Sequence, residues 1–246
     1  MKKLSLIVIG FVALVFTGSV FTYPHVFFLS TIEHSDFNNV SKNIYIDPDF
    51  EKSEYESVLS LLDKSKARII NEYGAFTARP VVVITRTPGN AKKYGLGTFP
   101  GKAFAAPWEQ YIVVNHQSND IGLLTHELMH AQMREILGYW AYQTKIPTWF
   151  DEGVAMQVDY RDHYKVNYES FSQEEIKRVK KLDTPSKFWT NSKEENLKNY
   201  RVAKAGVQQI LTVVLPEELY AMLSRIWQGE QFNSILSLNK GVSHVK

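Results

Sequence analysis

An α+β fold is predicted by three features of the sequence: short β-branched segments in the first half, long helix-periodic segments in the second, and glycine or proline between them. Removing the first 30 of the 246 residues leaves about 216, enough for one domain or a small domain with a helical extension. Hydrophobic residues make up 44% and charged residues 22%, which excludes wholesale disorder.

Met1-Lys2-Lys3 precedes a stretch, Leu4 to Ile32, without formal charge, densest from Leu4 to Phe21. Eighteen helical residues span about 27 Å, close to the hydrocarbon thickness of a bilayer. The two lysines favour a cytoplasmic N-terminus and an exported body. A cleaved signal peptide is the competing reading, with Leu4 to Phe16 as its apolar part and Thr17-Gly18-Ser19 as its small-x-small site. The expected division is 1–30 for the signal anchor or signal peptide, 31–42 for a linker and 43–246 for the folded domain. The expected location is membrane-anchored and extracytoplasmic, or secreted or periplasmic after cleavage. Without Lys2 and Lys3 the chain carries 26 basic and 26 acidic residues. A neutral body of this kind gives no support to nucleic-acid binding, which wants a clustered basic surface, though its totals leave room for local patches. The absence of cysteine removes disulfides, thiolate metal sites and a cysteine nucleophile.

Within the body, Asn43 to Ile46 reads as a short strand and Asp47-Pro48-Asp49 as a turn that starts a helix. That helix runs from about Phe50 to Tyr73, with Val58, Leu61, Leu62, Ile69 and Tyr73 on one face, and Gly74 ends it. Pro80 to Thr85 reads as a buried strand. Pro88 to Gly101 reads as a loop with room for one helical turn, and Lys102–Ala106 and Gln110–Asn115 as two further strands around Pro107. Asn119 or Asp120 caps a helix from Ile121 to Leu137 that Gly138 ends. Thr148 to Tyr160 is the next helix, its Thr148 and Asp151 at capping-box spacing. Four more helices are expected at Glu174–Leu182, Asn196–Val214, Pro216–Trp227 and Gln231–Leu238.

The chemistry concentrates in His126-Glu127-Leu128-Met129-His130. On a helix, residues four apart lie about 40° apart and about 6 Å along the axis, so both imidazoles reach one ion. Glu127, offset by about 100°, is aimed at a water beside that ion. Zinc accepts imidazole and carboxylate ligands and keeps one position open in catalytic sites. Ile121, Leu124 and Leu128 lie opposite His126 and face a core. The third ligand is Glu152, in Pro147-Thr148-Trp149-Phe150-Asp151-Glu152-Gly153-Val154-Ala155. Trp149 and Phe150 imply that this helix start is buried, a buried carboxylate needs a partner, and Gly153 allows close backbone approach. Asp151 is the rival ligand; it points about 100° away and suits a helix cap or an acceptor for a histidine N–H.

These two stretches resemble the gluzincin metallopeptidases, in particular the small peptidase MA-like domains related to the catalytic domain of aminopeptidase N. The match covers residues 126–155 well and extends loosely from Tyr45 to Phe232. It implies a zincin-like fold: a small mixed sheet packed on the active-site helix, followed by a helical C-terminal part. It also implies one zinc ion on His126, His130 and Glu152, Glu127 as general base and acid, and a peptide or protein substrate. Tyr200-Arg201-Val202-Ala203 looks similar to the family's C-terminal helices and makes Tyr200 the first candidate for stabilising the oxyanion, with Arg201, Tyr160 and His163 as alternatives. His116, at the end of a strand just before the active helix, has a place from which it could line the cleft, but reads rather as a loop histidine without a role. Substrate is expected along an edge strand, Lys102–Ala106 or Gln110–Asn115. The chain departs from the aminopeptidases at Gly101-Lys102-Ala103-Phe104-Ala105, which lacks their Gly-x-Met-x-Asn pattern and has no acidic residue to hold a free amine. An endopeptidase, or an enzyme for one particular peptide, is therefore expected. Two other classes stay open: a catalytically silent, zinc-stabilised protein-binding domain, and an exported structural protein without metal.

Overall fold

The computed structural model describes residues 23–118, 120–212 and 214–238. Five strands form one mixed sheet: β1 (Asn38–Ser41), β2 (Ile44–Ile46), β3 (Val81–Thr85), β4 (Gly101–Ala105) and β5 (Gln110–Asn115), in the order β1-β2-β3-β5-β4. β2, β3 and β5 run parallel, while β1 and β4 pair antiparallel at the two edges. β3 is buried along its whole length, as a parallel strand covered on both faces must be.

One face of the sheet, carrying Ile46, Val82, Ile84, Ile112 and Val114, packs on α2 (Lys52–Tyr73) and α4 (Ile121–Lys145). The other, carrying Val81, Val83, Tyr111 and Val113, packs on α1 (Pro24–Ser30) and α3 (Pro88–Lys93). The helical half follows as α5 (Thr148–Gln157), α6 (Gln173–Val179), α7 (Pro185–Phe188), α8 (Lys193–Leu211), α9 (Leu219–Trp227) and α10 (Phe232–Leu238). The mixed sheet, the buried helix against it and the helical C-terminal part agree with the predicted α+β, zincin-like architecture.

Gly74 ends α2 in the left-handed region, with φ 84°. Gly138, with φ 68°, breaks α4 where the sequence places its end, but a second helical stretch continues to Lys145. Asp120 caps α4: the Leu123 N–H donates to its carboxylate at 2.9 Å.

Several expectations change. The stretch read as a linker, 31–42, contains a 3-10 turn (Ile32–His34) and strand β1. Within 1–30, the last residues form α1, and Leu29 is fully buried. The predicted apolar span Leu4–Phe21 lies outside the described residues; among those described, no helix is long and apolar enough to cross a membrane. Asp47 does not start α2. It is buried and accepts hydrogen bonds from the Arg86 N–H and the Asn90 side chain, both at 2.9 Å, while Glu51 and Glu54 form the capping box. α5 begins after Pro147 with no side-chain cap, so Thr148 and Asp151 form no capping box. Of the two candidate edge strands, Gln110–Asn115 is interior and only β4 is an edge.

Candidate active site

The first part of α4 runs buried beneath the sheet, with Leu124, Leu128 and Met129 wholly inside. That leaves His126, Glu127 and His130 on its remaining face, each less than a tenth exposed. α5 brings the next group. Its start is buried by Trp149 and Phe150, whose rings meet Phe232. At Gly153 an added Cβ would lie 2.6 Å from both the Ala203 carbonyl and Val207 Cγ2 of α8. Only glycine permits that crossing, and it sets Glu152 opposite the two histidines.

The three side chains converge. His126 Nε2 and His130 Nε2 are 3.1 Å apart, and the Glu152 carboxylate oxygens lie 3.4 Å from the first and 3.7 Å from the second. Ligand atoms about 2.0–2.1 Å from a tetrahedral zinc are separated by about 3.3 Å, so the spacing fits one ion. The Glu152 Oε2 atom is buried and receives no hydrogen bond, which is the need a cation meets. This compact cluster matches the HExxH…E catalytic motif of gluzincin metallopeptidases. No family model, curated protein or solved structure matches the chain. The likeness therefore rests on the site itself.

Carboxylates stand behind both imidazoles. His130 Nδ1 lies 3.1 Å from Asp151 Oδ1, and the Tyr142 hydroxyl donates to Asp151 Oδ2 at 2.7 Å. Asp151 is thus the histidine acceptor that its angular offset predicts, held away from the metal position. His126 Nδ1 faces Asp159 Oδ2 at 3.7 Å, and Arg161 clamps Asp159 through both of its carboxylate oxygens. Burial pulls the His130 pKa down, but Asp151 and Glu152 outweigh it and bring it to about 10. Burial pushes the Glu127 carboxyl up, partly offset by the two histidines and by a hydrogen bond from the Ala103 N–H.

The cleft above these groups, about 230 Å³, is lined by Gly101, Lys102 and Ala103 of β4 and by Trp189 and Tyr200 on the far side. The Tyr200 hydroxyl accepts from the Trp189 indole N–H at 2.8 Å. The alternatives to Tyr200 lie elsewhere. Arg201 donates to the His163 carbonyl, Tyr160 stacks beneath Arg68, and the His163 side chain is exposed beside Tyr164. His116 packs on Phe50, outside the cleft.

Sequence reasoning missed Tyr142, Asp159, Arg161 and Trp189. Tyr142 lies beyond the glycine read as the helix end, and the others meet the site only through tertiary packing. Because Asp151 sets the tautomer and tilt of His130, Asp151→Asn is expected to weaken zinc binding by about 10–100-fold with the fold intact, read by competition with a fluorescent zinc chelator.

Proposed function

We propose that this protein is a zinc-dependent endopeptidase held at the extracytoplasmic face of a membrane. The observation that carries the reading is the convergence of His126, His130 and Glu152 on one point, with the Glu127 carboxylate beside them in an open cleft. The uncharged run from Leu4 behind two lysines supports the location.

One zinc ion on these ligands would supply Lewis acidity, acidifying water and polarising a carbonyl. Glu127 takes the proton of the attacking water and returns it to the leaving amine nitrogen. Its raised pKa suits a group that must do both. Because the Trp189 N–H occupies the Tyr200 oxygen as a donor, the Tyr200 hydroxyl proton is free to point into the cleft. Burial drives the Tyr200 pKa well above its ordinary value. It therefore remains a donor at working pH, suited to the oxygen that becomes negative in the transition state. Among the described residues, the carboxylates lining the cleft are Glu127, Asp151 and Glu152. Each has a role above, so none is left to hold a substrate's free amine, which favours internal cleavage.

Purified full-length protein is expected to hold about one zinc per chain and to cut a mixed peptide library at internal bonds. A chelator should stop the cutting and added zinc should restore it. Protein that retains zinc but cuts nothing would defeat the peptidase reading, and protein that retains no zinc would defeat the metal site.

A further inference from the structure

β4 does not end at the catalytic cleft. Beyond Ala105 its open side runs into a groove of about 870 Å³ between α1 and the 106–109 turn, lined chiefly by Tyr23, Phe27, Phe104, Trp108 and Tyr139. Trp108 is 66% exposed, Tyr23 57% and Phe27 37%, so these rings are not there to fill a core. Lys102, the one lysine, arginine or carboxylate among the described lining residues, borders both the groove and the cleft. Its ammonium lies over the Phe104 ring at 4.9 Å. The His25 ring packs on Phe104 at 4.8 Å, and burial, helped by Lys102, lowers its pKa. The groove wall is therefore mostly apolar, with Lys102 at its border with the cleft.

The backbone of β4 connects the two sites. Ala106 and Glu109 exchange both backbone hydrogen bonds, and the Asn115 N–H donates to the Pro100 carbonyl. In an antiparallel ladder such pairs alternate. The alternation turns the peptide groups of Gly101, Ala103 and Ala105 away from β5, toward the open edge. At Ala103 that edge meets Glu127, and at Ala105 it meets the groove. The two positions are about 7 Å apart. A chain that adds to this edge with its reacting bond at Glu127 brings a side chain two or three residues away over the groove.

We propose that this groove is a substrate subsite that takes a bulky apolar side chain, preferably aromatic, two or three residues from the cleaved bond of an extended peptide paired with β4. The proposal rests on the peptidase reading for its substrate. A peptide is favoured over a lipid or a second copy of the chain because the groove continues a row of outward backbone donors and acceptors that begins at the catalytic carboxylate.

The test uses full-length wild type, Trp108→Ala and Phe27→Ala, with peptides that carry Phe or Ala at each position within three residues of the cut. Cleavage is read by mass spectrometry. Binding of the same peptides, fluorescently labelled, to the Glu127→Gln form with and without Trp108→Ala is read by anisotropy. Wild type is expected to favour Phe over Ala by about tenfold or more at one such position, and both groove variants to reduce that ratio to about twofold. Wild type without a preference there, or a preference that survives in both variants, would overturn the proposal. If nothing is cut but the Glu127→Gln form still binds the Phe peptide more tightly through Trp108, the peptidase reading fails and the groove stands. If peptides are cut and the variants keep the wild-type preference, the groove fails and the peptidase stands.

Discussion

Replacing Glu127 by glutamine is expected to lower kcat/KM by about 10²–10⁴-fold while the protein still carries one zinc. The barrier would rise by about 3–5 kcal/mol. Glutamine keeps the volume of the buried side chain and leaves a carbonyl oxygen for the Ala103 N–H, so the pocket should not rearrange. What it removes is, among the described residues, the only cleft carboxylate that neither belongs to the candidate ligand set nor faces a histidine from behind. The pH profile gives a second measure. Burial raises the Glu127 pKa, and a base in the proposed role works as its carboxylate. Wild-type activity should therefore fall on the acid side as pH drops through a value above the ordinary glutamate range. Residual activity in the glutamine variant should lack any limb that belongs to this group. Zinc-loaded variant that cuts as fast as wild type would remove Glu127 from the mechanism.

The parts of this site that were legible in the sequence are those fixed by helix geometry. His126 and His130 share a face because four residues make slightly more than one turn. The apolar residues around them show which face is inward. Glu152 needed more, namely the aromatic pair before it and Gly153 after it, and Gly153 serves the close contact with Ala203 and Val207. Partners set by tertiary packing left no local signal. Asp159 reaches His126 only because α5 ends beside the start of α4, where an added Cβ on Gly122 would lie 2.9 Å from Asp159 Oδ1. Strand β1 was unreadable for a related reason: Asn38-Asn39-Val40-Ser41 is a polar edge strand with alternating partial burial, and such a segment looks like a linker until its neighbour is known. The Asp47 carboxylate looked like a helix cap because its local spacing allowed one, but Arg86 and Asn90, about 40 residues on, claimed it.

Truncating Glu152 to alanine should have the largest effect on the metal. Losing a carboxylate that only supports a histidine costs about 10–100-fold in affinity, and losing a direct ligand should cost more, so Glu152→Ala is expected to emerge from purification without zinc. Stability offers an independent measure. An ion that binds only the folded chain stabilises it by about 2.7 kcal/mol when present at 100 times its dissociation constant. For a chain of this size that is worth roughly 5–10 °C in Tm. Wild type should show that rise when zinc is added to the stripped protein, and Glu152→Ala should show none at the same concentration. Asp151→Ala is the control that separates the two neighbouring carboxylates. Asp151 holds His130 from behind and is tied to Tyr142, so its loss should shift the zinc titration to higher concentration without abolishing the rise in Tm. The reverse pattern, with the rise kept in Glu152→Ala and lost in Asp151→Ala, would make Asp151 the ligand and leave the unsatisfied, buried Glu152 oxygen without a purpose.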